Sequence, residues 1–125
     1  MSEMQEIQKN LISFLDKAYA LTIESLKLVQ KQDFENLNNV LSNRERAINI
    51  IDSLSQNLSM YQKNMDQADV NEFNTQVSQV IEKINSIDEI VMSCLEHEKN
   101  KTQFEIAKSF KSKENFKGYN LNNVK

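Results

Sequence analysis

Residues 26–48 read LKLVQKQDFENLNNVLSNRERAI and contain the boundary between two helical patterns. It holds the end of one apolar helical pattern, three polar residues at positions 31–33, and the start of a second pattern at Phe34. Asp33 is well suited to cap the second helix, because its carboxylate can accept a free backbone N–H of the first turn. A connection this short returns the second helix antiparallel to the first. We therefore predict a helical hairpin.

The predicted first helix covers residues 3–30 and carries two adjacent apolar rows. Each row repeats at alternating steps of three and four residues, which is typical of a helix that packs along its whole length. Ser25 interrupts the first row, and Thr22 lies in line with the second. The rows are Met4, Ile7, Leu11, Phe14, Ala18, Leu21 and Leu28, and beside them Ile12, Leu15, Tyr19, Leu26 and Val29. A face this broad contacts two neighbours, or one neighbour and a ligand.

The predicted second helix covers residues 34–63 and also has two rows. Its main row consists of Phe34, Leu37, Leu41, Ile48, Ile51 and Leu58. The row beside it repeats every seven residues and consists of Val40, Ala47, Leu54 and Tyr61. Arg44, Glu45 and Arg46 interrupt the apolar pattern near the middle of this helix.

A loop over residues 64–68 and a third helix to about residue 98 complete the predicted bundle. Asp69 and Glu72 have the spacing of a capping box, in which two side chains satisfy backbone N–H groups of the first turn. The seam of this helix consists of Val70, Phe73, Val77, Val80, Ile84, Ile87, Val91 and Cys94. We thus expect an all-α fold, an elongated antiparallel bundle of three long helices over residues 1–98.

Residues 99–125 form the second predicted unit, a basic tail that is partly helical or disordered. Phe104, Ala107 and Phe110 lie on one side of a short amphipathic helix there. The tail carries 7 Lys and 2 Glu, a net charge of +5, whereas residues 1–98 carry 8 basic and 16 acidic residues, a net charge of −8. Lysines interleaved with aromatic residues are also found in proteins that bind single-stranded nucleic acid, and a basic tail can bind an acidic membrane. Because the acidic body would repel phosphates, we expect no nucleic-acid partner.

The composition favours few, long elements in a soluble protein. Proline is absent and glycine occurs once, so there are few turn signals. No apolar run approaches the roughly 18 residues of a membrane span, and the N-terminus lacks the pattern of a signal peptide. The single cysteine cannot form an intramolecular disulfide. From these observations we expect a cytoplasmic protein without a membrane span.

Catalytic chemistry is poorly represented in the sequence. There is one histidine, one cysteine and no glycine-rich loop, whereas an enzyme needs several polar groups that converge in one site. Cys94 and His97 are one helical turn apart, but zinc sites usually have three or four protein ligands. We interpret Cys94 as a seam residue, and Asp88 and Glu89 as solvated charges. The expectation is a protein that is not an enzyme and holds no cofactor or metal.

The apolar rows exceed what one three-helix core requires, which indicates a binding surface. The surplus could receive the amphipathic helix of a partner, or form a homodimer interface. The candidate partner-binding residues are Ile12, Leu15, Tyr19, Leu26, Val29, Val40, Ala47, Leu54 and Tyr61.

The hairpin resembles the flagellar export chaperones of the FliT and FlgN type. Those proteins have a long first helix, a brief turn with an Asp followed by an aromatic residue or Leu, and a second helix with spaced Leu and an Arg-Glu or Lys-Glu pair. The matching residues here are Asp33, Phe34, Leu37, Leu41, Arg44, Glu45 and Ile48. The sequence departs from that pattern at Gln32, where a Gly often precedes the Asp.

The resemblance implies a cytoplasmic chaperone for a flagellar export substrate. Its partner would be the helical terminus of a filament cap protein or a hook–filament junction protein, delivered to the export ATPase or export gate. In FliT-like proteins a C-terminal helix can cover the binding groove, and the resemblance assigns that regulatory role to Phe104, Ala107 and Phe110. The alternative is a structural coiled-coil or bundle subunit of a larger assembly, which would use the same rows for a permanent interface.

Overall fold

The protein is a bundle of three long helices. We describe residues 2–61 and 66–96 in a computed structural model, and nearly all of these residues are helical. In chain order the helices are α1 (Glu3–Gln30), α2 (Phe34–Ser59) and α3 (Gln67–Glu96). The predicted all-α bundle is confirmed. The predicted tail, with Phe104, Ala107 and Phe110, lies outside the described residues.

Helix α1 has the predicted bounds, and its start is stabilised by a capping box that the sequence analysis did not identify. Gln5 N–H donates to Ser2 Oγ at 3.2 Å, and Ser2 N–H donates to Gln5 Oε1 at 3.1 Å. These reciprocal bonds satisfy two backbone donors that the first helical turn leaves free.

The connection between α1 and α2 is a tight left-handed turn. Gln32 has a φ of 60°, a conformation that glycine adopts most easily. Gln32 N–H donates to Val29 O at 3.1 Å, and Asp33 N–H donates to Leu28 O at 2.9 Å. This pair of bonds is the Schellman arrangement, which satisfies the last carbonyls of a helix. Residue 32 therefore occupies the position at which a helix usually places glycine.

The predicted cap of α2 is confirmed, whereas the predicted cap of α3 is wrong. Asp33 Oδ1 accepts the N–H of Asn36 at 3.3 Å. At α3, Asp66 Oδ1 accepts the N–H of Ala68 at 3.2 Å, and Asp66 O accepts the N–H of Val70 at 3.1 Å. Asp66 therefore caps α3, three positions before the predicted cap. Ala68, which was predicted to lie in the loop, and Asp69, which was predicted to be the cap, are both helical.

Helix α1 organises the packing, because it lies against both other helices. Few Cα atoms of α2 and α3 come within 8 Å of each other, so long side chains connect these two helices. Helix α2 ends at Ser59, four residues earlier than predicted, and Met60 and Tyr61 form a turn.

The buried face of α1 combines the two rows that the sequence predicts. Its central line is Leu11, Leu15, Ala18, Thr22, Ser25 and Val29. Because α1 has a neighbour on each side, the middle of its face runs between the two rows. The outer members of each row are therefore only half-buried, as Phe14 and Tyr19 are.

The apolar core consists of two separate clusters. The larger cluster contains ten buried residues, namely Leu11, Leu15, Ala18, Ala47, Ile51, Leu58, Phe73, Val77, Ile81 and Ile84. The smaller cluster lies near the α1–α2 connection and contains Leu28, Val29, Leu37, Val91 and Leu95.

The left-handed turn predicts that Gln32→Gly stabilises the protein. Glycine avoids the steric cost of positive φ, and its greater freedom in the unfolded chain offsets part of that gain. We expect the free energy of unfolding to rise by about 0.5–1 kcal/mol, measured by urea denaturation.

The matched control is Gln30→Gly, two residues earlier in the last turn of α1. Glycine inside a helix costs about 0.5–1 kcal/mol, so this variant should be less stable than the parent. A loss of stability in both variants would contradict the role assigned to the turn.

Candidate functional site

A layer of buried polar residues separates the two apolar clusters. It consists of Thr22, Ser25, Arg44 and Asp88, which together we call the polar layer. Along each helix these residues lie between members of the larger cluster and members of the smaller one. At this level they are the only buried residues of α1, α2 and α3.

The centre of the polar layer is an ion pair between α2 and α3. Arg44 Nη2 donates to Asp88 Oδ2 at 2.5 Å. Only 3% of the Arg44 side chain and 5% of the Asp88 side chain are exposed. The second carboxylate oxygen, Asp88 Oδ1, is buried and has no hydrogen-bond partner among the described residues. A buried pair of this kind loses much of its attraction to the cost of removing both charges from water.

Helix α1 contributes two hydroxyl groups that bond to their own helix. Thr22 Oγ1 donates to Ala18 O at 2.8 Å, and Ser25 Oγ donates to Leu21 O at 2.9 Å. Short polar side chains can be buried in a helix in this way, because the preceding turn supplies the acceptor. The two residues therefore fill the layer without requiring a partner from α2 or α3.

Two sequence interpretations are wrong at this layer. Asp88 is buried in an ion pair and is not a solvated charge. Arg44 does not merely interrupt the pattern of α2, since it lies in the buried line of that helix. The heptad spacing contained the signal: Arg44 is seven residues from Leu37 and from Ile51, all three buried.

Asp88 and Thr22 follow the same spacing rule, whereas Ser25 has a buried residue seven positions before it, Ala18, but an exposed one seven positions after it, Gln32. Asp88 is seven residues from Ile81 and from Leu95, and both of these are buried. Thr22 stands in the same relation to Leu15 and Val29. Position in the heptad therefore predicts the burial of these polar residues better than their polarity does.

Burial dominates the electrostatics of the pair. It raises the pKa of the Asp88 carboxyl to about 6, although the nearby Arg44 charge and hydrogen bond act in the opposite direction. Burial likewise lowers the pKa of Arg44, against the attraction of Asp88; a guanidinium nevertheless remains protonated in proteins. The carboxyl thus titrates far closer to neutrality than an exposed Asp.

The structure divides the predicted partner-binding residues into two groups. Leu15, Val29 and Ala47 are buried in the apolar clusters, so they offer no surface in this conformation. Five others are half-buried at the edges of those clusters, namely Ile12, Tyr19, Leu26, Val40 and Leu54, and Tyr61 is half-buried without belonging to either cluster. The interpretation of Leu15, Val29 and Ala47 as surplus surface is therefore wrong. A row at the edge of the apolar face of an isolated helix lies in the middle of the buried face when the helix has two neighbours.

The half-buried candidates lie at heptad spacing on α1 and α2. Ile12, Tyr19 and Leu26 form a row on α1, which we call the α1 row. In the turn after α2, a hydrogen bond to the Glu3 carboxylate raises the pKa of the Tyr61 hydroxyl. Because Glu3 begins α1, Tyr61 belongs to the contact between α1 and α2.

Three large apolar residues are more exposed than the predicted candidates. Ile50 is 39% exposed, Ile90 49% and Met60 74%. None of the three belongs to an apolar row that the heptad spacing predicts. Isolated apolar residues on a surface are common, so they do not define a site by themselves.

The described residues contain no grouping suited to metal chemistry. Over residues 2–61 and 66–96, no three His, Cys, Asp or Glu side chains come together as a metal site. Cys94 is half-buried against the smaller cluster, and His97 lies outside the described residues. None of the described helices has the length and apolarity that crossing a bilayer requires.

No family model, curated protein or solved structure matches this chain.

The polar layer predicts an unusual pH dependence of stability. The pKa of Asp88 is higher in the folded protein, at about 6, than the roughly 3.9 of an unfolded chain. The folded state therefore binds the proton more tightly, and this stabilisation is full below pH ~4 and is lost as the pH rises through about 6. The gain at low pH is on the order of 3 kcal/mol.

Other carboxyl groups also titrate in this range, so the measurement needs Asp88→Asn as its reference. We expect urea denaturation at pH 4, 5, 6 and 7 to give a difference, parent minus variant, that grows as the pH falls. The burial-raised pKa of Asp52 cancels in this difference. A constant difference, or one that shrinks with acidification, would contradict the assignment of the titration to Asp88.

Proposed function

We propose that this protein binds an amphipathic helix of another protein and serves as a cytoplasmic chaperone for a flagellar export substrate. The substrate would be a filament cap or hook–filament junction protein. The chaperone would keep its helical terminus soluble and deliver it to the export ATPase or export gate.

The observation that carries the proposal is the α1 row. Ile12, Tyr19 and Leu26 repeat every seven residues and all three are half-buried. They span 14 residues, which is about 20 Å of helix at 1.5 Å per residue. An amphipathic partner helix presents apolar residues at the same spacing, so such a row can receive it along several turns.

The hairpin motif supports the flagellar part of the proposal through its resemblance to export chaperones. The turn at Asp33 and the second helix from Phe34 form as the resemblance implies. Arg44 of the Arg-Glu pair has a structural role in the polar layer. The residues that match the chaperone pattern thus help to build the bundle. The half-buried rows beside them are the surface that we propose for the partner helix.

The charge of the body favours a particular partner chemistry. Residues 1–98 carry a net charge of −8, and complementary charge speeds association and discriminates against wrong partners. We therefore propose that the partner helix carries Lys or Arg beside its apolar stripe. The basic tail, residues 99–125, would compete for the same acidic surface and so regulate binding.

The first test is capture of the partner from cytoplasm of the native organism, with bound proteins identified by mass spectrometry. We expect a flagellar cap or junction protein, and we expect Leu26→Glu and Leu54→Glu to reduce its capture. The loss should be about tenfold or more, since burying an unpaired carboxylate in an apolar contact costs well over 1.4 kcal/mol.

The control for this experiment is Met60→Glu. It makes the same charge change at an apolar residue that is 74% exposed and outside the rows. It should leave capture unchanged, and helix content and unfolding temperature should show that all variants fold. Capture of only this chain would support a homodimer, and capture of an unrelated assembly subunit would support the structural alternative.

The proposed role of the tail gives a separate prediction. Removing residues 99–125 should strengthen binding of the captured partner, and Phe104→Asp with Phe110→Asp in the full chain should act in the same direction. The effect should shrink at high salt, because charge attraction between tail and body is screened. Titration calorimetry with the purified partner measures it, and unchanged or weaker binding would overturn the regulatory role.

A further inference from the structure

The two parts of α3 on either side of Asp88 belong to apolar clusters of different size. Before Asp88, Phe73, Val77, Ile81 and Ile84 belong to the larger cluster. After it, over residues 89–96, Val91 and Leu95 are buried in the smaller cluster, and the half-buried Met92 and Cys94 pack against that cluster. Parts of a protein with few buried contacts open more readily than the rest.

The polar layer interrupts the core that would otherwise couple these two parts. Between Ile84 and Val91 the only buried residue of α3 is Asp88. The same is true of Arg44 between Leu37 and Ala47 on α2. No fully buried apolar side chain of the described residues therefore joins the clusters at this level, and cooperative packing is weakest there.

Helix α3 packs mainly against one of the other two helices. Few of its Cα atoms approach those of α2 within 8 Å, so α1 is its principal neighbour. Over residues 89–96, the buried Val91 and Leu95 and the half-buried Met92 and Cys94 attach α3 to the smaller cluster. The hairpin end is joined more firmly, by the turn at Gln32 and its backbone bonds.

We propose that the polar layer divides the bundle into two units, and that α3 beyond Asp88 opens from the hairpin while the larger cluster stays packed. Such opening uncovers Leu28, Val29 and Leu37, which α3 otherwise helps to bury. The uncovered surface adjoins Leu26, at the end of the α1 row. The opening itself does not depend on what the protein binds.

Two valines of α3 provide a matched test. Val77 and Val91 are both 0% exposed and lie two heptads apart, one in each cluster. Val77→Cys and Val91→Cys are made separately in a Cys94→Ala background, so that each protein carries one buried thiol. The rate of reaction with an aromatic disulfide reagent is then measured from zero to high urea, and normalised to the rate in the unfolded protein.

The expected result is a clear difference between the two positions. The thiol introduced by Val91→Cys should react about tenfold faster or more without urea, and its rate should change little at low urea. The thiol introduced by Val77→Cys should react only through global unfolding, with a steep urea dependence. Equal normalised rates with the same urea dependence, or faster reaction at position 77, would overturn the proposal.

A second comparison tests whether the polar layer is the boundary. Arg44→Leu together with Asp88→Leu, added to the Val91→Cys protein, should join the two clusters and slow the reaction toward the rate at position 77. An unchanged fast rate would show that the boundary has another cause and overturn the role of the layer. If the double replacement does not fold, the comparison of positions 77 and 91 still tests whether the bundle consists of two units. The proteins in that comparison keep the polar layer intact.

Discussion

A charged pair buried at the centre of the bundle permits one alignment of its helices. Arg44 reaches Asp88 across the space between α2 and α3. A shift of α3 by one turn would bring Ile84 or Met92 to the level of Arg44 and leave both charges buried apart. Breaking a buried pair costs about 3–5 kcal/mol, although the intact pair adds little net stability over apolar residues of similar size. The pair therefore selects the alignment more than it stabilises the fold.

The second constraint is that α1 packs against both α2 and α3 with a single apolar face. The middle of that face, at Leu15 and Ala18, is fully buried, while residues such as Ile12 and Phe14 at either edge are half-buried. A helix in this position cannot hide both edges, because its neighbours lie on the two sides of the central line. The half-buried rows are thus a consequence of the three-helix arrangement. They do not require any excess of apolar residues.

The sequence predicts the helices well because it has few residues that signal a turn or a helix cap, and each of them acts on its near neighbours in the chain. Asp33 between two apolar patterns determines the hairpin, and the bounds of α1 follow from it. The start of α3 was harder, since Asp66 and Asp69 are both good caps and only the backbone bonds to Asp66 distinguish them. The left-handed conformation of Gln32 could not be predicted from its residue type, because the turn places a residue with a side chain where glycine is favoured.

The candidate site was predicted only in part, for a reason of geometry. Leu15 and Leu26 lie only about 20° apart around α1 at 3.6 residues per turn, so helical phase does not distinguish them, and which of the two is fully buried depends on where the other two helices lie. Heptad position was the better guide for polar residues: Asp88 falls between Ile81 and Leu95, and all three are buried. Residue type suggested solvent for Asp88, because a buried carboxylate is rare unless a partner such as Arg44 is available, and that partner is 44 residues away.

Half-buried apolar rows have a consequence for the strength of binding. A side chain such as Leu26 has already lost part of its contact with water, so covering it fully gains less than the roughly 1.5–3 kcal/mol of a fully exposed leucine. Several such residues must act together before they outweigh the entropy lost on association. For the proposed partner helix, the expected outcome is an affinity that depends on the partner's spacing over the full length of the row and falls steeply when one contact is removed. A protein that must hold an amphipathic helix and then release it requires that combination, whereas a permanent subunit interface would favour fully exposed rows with more area to bury.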